Sequence, residues 1–378
     1  MNKYIFINQV TGPLFIDILN VFSRKGEDVA LYTGEVEKAS KELHENVKVS
    51  YFTKYRRNNA VLRILTWLLF PFLTFIKLLL LKKDYKLFLV TNSPFTPFLG
   101  SIFYKMFKIK FYVLVYDIYP DALVNFNYIS KESFIYKIWA RINKRVFTEA
   151  EKVFTISDCM ADIIKSYYNK HDNLRVIHNW VDTDFIKPIK KEDNWFAKKY
   201  NQVDKLTVIY SGNMGATHDL ESLIEAAKIL KNESGINFLI IGDGVKKEKI
   251  EKMVIEYELN NVILLPFQPA EVIPFSMACG DIGVVTLGTG AEGLSVPSKT
   301  YYMMAAGNAI LAIASKDSEL AKICNKYQIG KVIESGNSEQ ISKFLLSDTT
   351  VFENFSNISR KISQNFTPKL AEEYFESL

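Results

Sequence analysis

The stretch LTVIYSGNMGATHDLESLIEAAKILKNESGINFLIIGDG, residues 206–244, decides the fold of this chain. It begins and ends with near-continuous apolar runs that close on glycine, and the segment between them carries apolar residues at helical spacing. Such runs are typical of parallel strands buried on both faces, and the spacing within 219–231 predicts an amphipathic helix. A strand, a helix and a second strand in this order predict a right-handed βαβ unit.

The same alternation of apolar runs and helical segments extends over the whole chain. Strands are predicted near 3–7, 28–32, 47–51, 87–91, 110–116, 152–156, 174–178, 206–210, 236–241, 262–265, 282–287, 309–314 and 331–334. Alternation of this kind predicts an α/β protein built from two Rossmann-like, doubly wound domains.

The pattern lapses in NWVDTDFIKPIKKEDNWFAKKY (179–200), where Pro188 and a lysine cluster interrupt it. We therefore predict an N-terminal domain at 1–182, a linker at 183–203, a C-terminal domain at 204–355 and a terminal amphipathic helix at 356–378.

Composition narrows the class of protein. The chain has 378 residues, 48% hydrophobic and 24% charged, which is too long for one ordinary core and too balanced for disorder. Its three cysteines, Cys159, Cys279 and Cys324, are far apart, which excludes a disulfide scaffold and a zinc–thiolate site and favours a reducing compartment. The first ten residues, MNKYIFINQV, do not resemble a signal peptide.

Charge is distributed unevenly along the chain. Residues 1–180 carry 26 Lys and Arg against 16 Asp and Glu, whereas the remainder carries 21 against 26. The excess of positive charge predicts that the first domain meets an anionic partner. Nucleic acid, anionic lipid and a phosphorylated substrate are all compatible with this excess.

The stretch VLRILTWLLFPFLTFIKLLLL (61–81) is apolar and has cations on both sides. Its uncharged part, 64–76, has 13 residues with Pro71 in the middle, whereas a spanning helix needs about 20 apolar residues. We therefore expect an interrupted segment that lies in the headgroup layer of an anionic membrane. The alternative is a pair of buried helices with solvated basic ends. The residues assigned to the membrane or the acceptor are Arg56, Arg57, Arg63, Trp67, Lys82 and Lys83.

Nucleic-acid binding is disfavoured, because the aromatic residues of this stretch are clustered with Leu and Ile and are not interleaved with the cations.

Two short loops with glycine follow predicted strands of the second domain. They are Ser211-Gly212-Asn213-Met214-Gly215 and Gly242-Asp243-Gly244. Glycine lets the backbone approach a ligand, and a helix N-terminus offers unpaired N–H groups to an anion. Ligands of open α/β sheets bind at the carboxyl ends of the strands, where these loops lie. For the second loop, a tight turn without a ligand explains the glycines equally well.

A third loop, LGTGAEGLSVPSKTYYMMAAG (287–307), carries three glycines before Pro297-Ser298-Lys299, which opens a helix that Gly307 closes. Lys299 lies in the first turn of that helix, where the helix dipole disfavours a cation. A bound anion would explain this placement; the alternative is a solvated surface lysine.

These motifs, in this order, resemble the retaining family-4 glycosyltransferases of GT-B fold. More narrowly, they resemble the bacterial branch that builds O-antigen, capsule or colanic-acid-type glycans on lipid carriers. In the first half, TNSPFTP (91–97) and VYDIYPDALV (115–124) are similar to that branch's N-domain loops, and VIHNWVDTDFIKP (176–188) is similar to its approach to the linker. The resemblance covers nearly the whole chain.

The resemblance implies two domains that face a cleft, with a terminal helix that crosses back to the first. A nucleotide diphosphate sugar, with UDP preferred over GDP, would bind the C-terminal domain, and a polyprenyl-diphosphate-linked acceptor would bind the N-terminal one. Neither a cofactor nor a metal ion is implied, and the four scattered histidines agree with this. The implied location is peripheral, on the cytoplasmic face of the bacterial inner membrane. The oligomeric state stays open.

Lys299 is, by this resemblance, the main cation for the diphosphate. His218 either assists it or caps the 219–231 helix. The family's paired acids fall on Leu294 and Tyr302, neither of which is acidic, and Glu292 is the one acid of the loop and is assigned to the donor sugar or its leaving group. The donor-binding residues are predicted to be Gly12, Ser211, Gly212, Asn213, Gly215, His218, Gly242, Gly244, Gly293, Leu294, Ser298 and Tyr302.

In the first domain, Asp117 follows a predicted strand and could orient or deprotonate an acceptor hydroxyl. A helix or turn cap before Pro120 is the alternative, and Asp121 is a weaker candidate for the same role. The residues assigned to catalysis are Asp117, Glu292 and Lys299.

The predicted function is retaining transfer of a sugar from a nucleotide diphosphate sugar to a polyprenyl-diphosphate-linked acceptor in the synthesis of bacterial surface polysaccharide. The alternatives are a nucleotide-sugar epimerase of the same fold and a non-catalytic membrane scaffold of glycan assembly, the latter suggested by the missing acidic pair.

Overall fold

The computed structural model describes residues 1–37, 41–56, 59–288, 293 and 297–378. They form two compact units, the first containing Met1–His178 with Pro368–Leu378 and the second containing Asn179–Thr367.

The first unit is built on a parallel sheet of seven strands in the order β5-β3-β1-β6-β7-β8-β9, and β2 and β4 form a separate parallel pair. Most strands match the predicted ones; β2 and β4, two residues each, are too short to give a sequence pattern. The strands are β1 (Lys3–Ile7), β2 (Val10–Thr11), β3 (Asp28–Thr33), β4 (Glu35–Val36), β5 (Lys48–Tyr51), β6 (Lys86–Val90), β7 (Phe111–Val115), β8 (Lys152–Thr155) and β9 (Leu174–Val176).

Six helices of the first unit lie between these strands. Helix α3 packs against α2 and α5, and aromatic rings fill the core, where Phe88 stacks on Phe6 and on Phe154 with ring centroids 4.9 and 5.9 Å apart. The helices are α1 (Pro13–Arg24), α2 (Ala60–Leu79), α3 (Thr96–Phe107), α4 (Asp121–Asn125), α5 (Phe134–Glu149) and α6 (Asp158–Lys165).

Helix α2 continues through Pro71, so the prediction of an interrupted 13-residue segment is wrong. A proline inside a helix cannot donate a hydrogen bond to the carbonyl four residues earlier, here that of Trp67. The Ser93 hydroxyl donates to this carbonyl instead, at 2.9 Å. The buried Gln9 side chain donates likewise to the neighbouring carbonyl of Thr66 at 3.0 Å. Two side chains from other elements therefore satisfy the backbone beside the proline.

Helix α2 is apolar on its outer side as well as on its buried side, which includes Phe70 and Leu78. Its buried stripe includes Thr66 and Thr74, whereas Leu65 and Phe72, on the outer side, are 54% and 57% exposed. A surface helix of a water-soluble domain normally turns its apolar residues inward. By length and composition alone, α2 is apolar enough to cross a membrane. The outer face of α2, which we define as Val61, Leu65, Leu68, Phe72, Ile76 and Leu79, is exposed and apolar throughout.

The second unit is built on a parallel sheet of six strands in the order β12-β11-β10-β13-β14-β15. The strand order reverses between β10 and β13, which makes this pair the topological switch point of the sheet. Every residue of β13 and β14 is buried, as expected for strands covered on both faces. The strands are β10 (Leu206–Ser211), β11 (Ile236–Ile241), β12 (Val262–Leu265), β13 (Ile282–Leu287), β14 (Ala309–Ala314) and β15 (Gly330–Ile333).

Eight α-helices and a 3-10 turn at Ala270–Val272 complete the described part of the second unit. Helix α8 confirms the helix predicted at 219–231, but it is two residues shorter at each end than predicted. The helices are α7 (Trp195–Lys199), α8 (Glu221–Ile229), α9 (Lys247–Glu256), α10 (Ile273–Met277), α11 (Lys299–Ala306), α12 (Glu319–Tyr327), α13 (Ser338–Leu345) and α14 (Thr349–Ser363).

Residues 183–203, predicted as a linker, pack within the second unit. The Arg360 guanidinium donates to the carbonyls of Thr183 and Ile186 at 3.2 and 3.3 Å. Asn194 caps α7 and donates to the carbonyl of Phe275 at 2.8 Å. This segment is therefore an integral part of the second unit, because its polar groups are hydrogen-bonded there.

The terminal segment 356–378 is not one helix. It contains the end of α14 and a separate helix, α15 (Leu370–Glu376), because Pro368 disfavours a continuous helix. Helix α14 belongs to the second unit and α15 to the first, where the ring of Phe375 lies 5.1 Å from that of Phe22 in α1.

Candidate active site

The candidate donor site of the second unit lies at the carboxyl ends of β10, β11 and β13. Ser211 ends β10, the loop after it holds Gly212, Asn213 and Gly215, and the loop after β11 holds Gly242 and Gly244. The two loops pack on each other: the amide of Met214 donates to the carbonyl of Asp243 at 2.7 Å. The structure therefore brings the two predicted glycine loops together beside the switch point.

The glycines at 212 and 242 are required by this packing. Both have positive φ, +142° and +149°, a backbone conformation that residues other than glycine rarely adopt. A Cβ on Gly242 would lie 1.9 Å from the carbonyl oxygen of Gly212, and a Cβ on Gly212 would lie 3.0 Å from Nζ of Lys299. Any larger residue would therefore separate the loops and displace the lysine.

Lys299, the first residue of α11, reaches back to the end of β10. Its Nζ donates to the hydroxyl of Tyr210 at 3.0 Å and lies 4.2 Å from the centre of that ring. Within the described part of the chain Lys299 forms no ion pair. Burial lowers the pKa of its ammonium group to about 8. A half-buried cation without a counter-charge, between glycine loops, is suited to hold an anionic ligand.

Tyr210 and His218 fix the backbone of the first glycine loop. The Tyr210 hydroxyl donates to the carbonyl of Asn213 at 2.5 Å, and Nδ1 of His218 lies 3.1 Å from the same hydroxyl. Burial, followed by the charge of Lys299, lowers the pKa of His218, so its ring is neutral at pH 7. His218 does not cap α8; Asp219 accepts from the amide of Ser222 at 3.0 Å. The capping alternative for His218 is therefore wrong.

The other predicted donor residues lie on or near α11. Ser298 precedes the helix without a side-chain capping bond and is exposed, and Tyr302 is half-buried one turn after Lys299. Gly293 is half-buried. Glu292 and Leu294 lie outside the described residues.

In the first unit, Asp117 follows β7 at the carboxyl edge of its sheet. The hydroxyl of Thr91 accepts from the amides of Tyr116 and Asp117 at 3.0 and 3.1 Å, and so fixes the turn that carries the carboxylate. Among the described residues the Asp117 carboxylate caps no helix. The turn-cap alternative is therefore wrong.

The pKa of the Asp117 carboxyl is suited to a proton acceptor. Desolvation by the surrounding protein raises the pKa of its carboxyl to about 6, and solvent screening of the exposed side chain limits that rise. A carboxylate with a raised pKa is a stronger proton acceptor and is still ionised at pH 7.

Asp121 and Gly12 have different surroundings. Asp121 is buried and accepts from the hydroxyls of Tyr136, at 3.2 Å, and Tyr167, which is a structural network. Gly12 precedes α1 as its N-cap residue, and its carbonyl accepts from the amides of Phe15 and Ile16.

A row of aromatic rings, which we call the aromatic row, lies beside Asp117. Tyr55 stacks on Trp67 at 6.1 Å, Trp67 meets Tyr119 edge to face at 5.5 Å, and Tyr119 stacks on Trp139 at 5.9 Å. The Arg63 guanidinium lies over the Trp67 ring at 5.6 Å, and its buried Nε has no hydrogen-bond partner among the described residues. The row is an apolar platform with a cation at one end.

The residues assigned to the membrane or the acceptor separate into three groups. Arg56 and Lys82 are exposed, whereas Lys83 donates to the carbonyls of Leu78 and Leu79 at the end of α2. Arg63 and Trp67 belong to the aromatic row and not to the outer face of α2. Arg57 lies outside the described residues.

Sequence reasoning missed Thr91 and Tyr210. Both were inside quoted motifs, yet their roles come from contacts with residues 26 and 89 positions away. A tyrosine near the end of a buried strand, which needs a polar partner for its hydroxyl, was the one available signal. No cluster of three or more His, Cys, Asp and Glu side chains that could hold a metal ion occurs in the described ranges.

Two family models match the chain. Residues 14–185 match Glycosyltransferase Family 4, and residues 191–357 match Glycosyl transferases group 1. Most of each unit therefore matches a glycosyltransferase family model, and the two Rossmann-like domains have the GT-B fold.

Two curated relatives of the chain are named as glycosyltransferases. Over 221 residues, 58% of this chain and 55% of the relative, the chain is 30% identical to the probable glycosyltransferase WbjE of Pseudomonas aeruginosa. Over 181 residues, 45% of this chain and 44% of the relative, it is 34% identical to WcaI of Escherichia coli (strain K12), whose name describes a colanic acid biosynthesis glycosyl transferase. The chain thus spans about half the length of the curated relatives it matches.

The solved structure of HepE from Anabaena, in complex with UDP and glucose, shares the fold. It superposes with a TM-score of 0.74 at 14% identity, covering 100% of this chain and 99% of that chain. At this identity the likeness shows the fold alone.

Proposed function

We propose that this protein transfers a sugar from a nucleotide diphosphate sugar, preferably a UDP sugar, to a polyprenyl-diphosphate-linked glycan, with retention at the anomeric carbon. The reaction would take place at the cytoplasmic face of the bacterial inner membrane, in the synthesis of a surface polysaccharide. The names of WbjE and WcaI, and the UDP bound by HepE, support this substrate class.

The observation that carries the proposal is the state of Lys299. Its ammonium group is largely removed from water, has no ion-pair partner in the described ranges, and faces the glycine loops at the switch point. A donor diphosphate would supply the missing negative charge and accept hydrogen bonds from the loop amides. Lys299 and these amides, with no cofactor or metal ion, would then stabilise the nucleoside diphosphate as it departs.

The acceptor is proposed to bind the first unit, along the aromatic row. Aromatic rings pack against the apolar faces of sugars, and Arg63 offers a guanidinium over the Trp67 ring to a phosphate group. Asp117, two residues before Tyr119 of the row, would orient the attacking hydroxyl.

The bond between the anomeric carbon and the β-phosphate oxygen breaks, and a bond between that carbon and the acceptor oxygen forms on the same face. The proton of the acceptor hydroxyl goes to the leaving diphosphate, which is released from Lys299. Front-face attack of this kind retains the anomeric configuration without a covalent sugar–enzyme intermediate.

The outer face of α2 supports peripheral membrane binding. It presents apolar residues over five turns and is bordered by the exposed cations Arg56 and Lys82. An apolar helix face with cations at its ends is typical of helices that lie in the headgroup layer of anionic membranes.

The test is a transfer assay with the purified full chain. UDP and GDP sugars would first be ranked by the rise in melting temperature that each causes, since ligands stabilise the state that binds them. The best donor would then be incubated with a short-chain polyprenyl diphosphate that carries one sugar, and the product linkage read by NMR.

We expect a glycosidic product with the anomeric configuration of the donor. An inverted product would refute retention. Interconversion of free nucleotide sugars without acceptor would favour an epimerase, and inertness toward every donor, with no thermal shift, would favour a scaffold.

A further inference from the structure

A basic cavity of about 630 Å³ lies at the amino edge of the first sheet, opposite the edge that carries Asp117. It is lined by the starts of β1 and β6 and by the residues just before β7. A five-residue strand spans about 16 Å, so the cavity is well separated from the candidate acceptor site. The cations that line it, which we call the cavity lysines, are Lys3, Lys83, Lys86, Lys108 and Lys110.

Most of the positive charge in this cavity is uncompensated. In the described ranges Lys3, Lys86 and Lys108 form no ion pair, whereas Lys110 pairs with Glu151 at 3.4 Å. Lys86 is held over the ring of Tyr4, its Nζ 5.1 Å from the ring centre and 3.3 Å from the hydroxyl.

The acids of the cavity do not balance these cations. Asp28 is paired with Lys48 at 2.8 Å, which leaves Asp84 as the acidic lining residue without such a partner in the described ranges. Several like charges around one concave surface raise the local concentration of anions, so an anionic group is the expected ligand.

One wall of the cavity leads directly to apolar surface. Lys83 joins the two, because its Nζ donates to the carbonyls at the end of α2 and lies 5.0 Å from the centre of the Phe107 ring in α3. Around this point Leu80 is 78% exposed and Met106 is 55% exposed. A ligand that fits both features has an anionic head and an apolar body.

We propose that the cavity binds the phosphate diester headgroup of an anionic glycerophospholipid, with the acyl chains along the outer face of α2. This is a site separate from donor and acceptor, and it rests on the proposed function only in taking its ligand from the membrane that α2 is proposed to meet. A headgroup held there would fix one end of α2 at the bilayer surface.

The first experiment compares vesicles of phosphatidylcholine with vesicles of equal parts phosphatidylcholine and phosphatidylglycerol. The cavity variant is Lys3→Gln/Lys86→Gln/Lys108→Gln. Its control, Lys316→Gln/Lys326→Gln/Lys343→Gln, removes the same charge from exposed positions of the second unit.

We expect the cavity variant to bind the anionic vesicles about 100-fold more weakly than wild type, since each basic residue near an anionic surface contributes about a factor of five. The control should change binding by less than about threefold. Equal losses in both variants, or unaltered binding in the cavity variant, would overturn the proposal.

The second experiment separates a lipid site from a site for free phosphate. Dihexanoyl-phosphatidylglycerol below its micelle concentration, dihexanoyl-phosphatidylcholine and inorganic phosphate are each titrated calorimetrically into the full chain. We expect dihexanoyl-phosphatidylglycerol to bind the wild-type chain saturably and one-to-one, and not to bind the cavity variant. We expect no binding of dihexanoyl-phosphatidylcholine. If inorganic phosphate binds more tightly than dihexanoyl-phosphatidylglycerol, or if the latter does not bind saturably, the proposed lipid site is refuted.

A double variant distinguishes loss of the binding site from a folding defect. Lys3→Gln/Lys108→Gln keeps the contact of Lys86 with Tyr4 and should weaken anionic-vesicle binding about 30-fold. Transfer to a soluble acceptor should be unchanged in both cavity variants. Absence of transfer in wild type, with headgroup binding intact, would refute the proposed function but not this site.

Discussion

Helix α2 of the first unit and helix α8 of the second are both crossover helices of a parallel sheet, yet their exposed sides differ. Helix α8 buries Leu223 and Ile224 and exposes Lys228, as an amphipathic surface helix should. Helix α2 buries Thr74 and exposes Phe72. The two domains therefore share an architecture but are adapted to different surroundings.

The carboxyl edges of the two sheets differ in the same way. The second unit presents a cation without a counter-charge between glycine loops, and the first presents a carboxylate beside a row of aromatic rings. One edge is suited to a diphosphate and the other to a sugar hydroxyl. The difference teaches that the fold supplies the position of a site and that a few side chains supply its chemistry.

Removing the cation should have the largest effect. Lys299→Ala should lower the rate of transfer about 10³-fold, since groups that stabilise developing charge contribute on that order. The measurement is kcat with the best nucleotide sugar. Lys316→Ala, an exposed lysine of the same unit, is the control and should retain activity. Similar losses in both would remove Lys299 from the site.

Removing the carboxylate should have the next largest effect. Asp117→Asn should lower kcat about 10²-fold, and the rise in rate with pH through about 6, expected in wild type because Asp117 must be ionised to orient the attacking hydroxyl, should disappear. Asp121→Asn is the matched control; it should lower the melting temperature through the loss of its tyrosine partners and leave the pH profile in place. A pH profile unchanged by Asp117→Asn would contradict the assignment.

Making the outer face of α2 polar should weaken membrane binding. Leu65→Ser/Phe72→Ser should reduce affinity for anionic vesicles about 30-fold, since each apolar side chain contributes about 1 kcal/mol when half-buried in the interface. Co-sedimentation measures it. Val245→Ser/Ile255→Ser removes two apolar residues of the second unit that are even more exposed, and it should have no effect. If the controls matched the α2 variant, the two helix surfaces would not differ in function.

The pH dependence of donor binding should be the smallest effect. Because the pKa of Lys299 is lowered to about 8 in the free protein and a bound diphosphate would raise it, binding includes proton uptake above pH 8. The donor affinity should therefore be nearly full at pH 7 and below, and fall about fourfold between pH 7 and pH 8.5. Calorimetry in buffers of different ionisation enthalpy measures both the affinity and the proton. An affinity that rises over this range would contradict the sign.

The candidate site was predictable in part. The glycine loops and Lys299 were accessible because turn chemistry and helix starts are local patterns. The supports of the site were not: Thr91 orients Asp117 and Tyr210 holds Lys299, and no local pattern records such pairs. For the same reason the sequence assigned Trp67 to the membrane or the acceptor without separating the two, and only its ring contacts place it in the aromatic row.

The sequence by itself determined the strands, their grouping into two Rossmann-like domains and the loops that mark the switch point. It did so because buried parallel strands and helix starts depend on neighbouring residues. Only the tertiary structure decided that α2 passes through Pro71, since Ser93 completes its hydrogen bonds from another loop. Only the tertiary structure decided which face of α2 is outside and that Lys299 ends beside Tyr210. These outcomes depend on contacts between residues far apart in the chain, which periodicity does not encode.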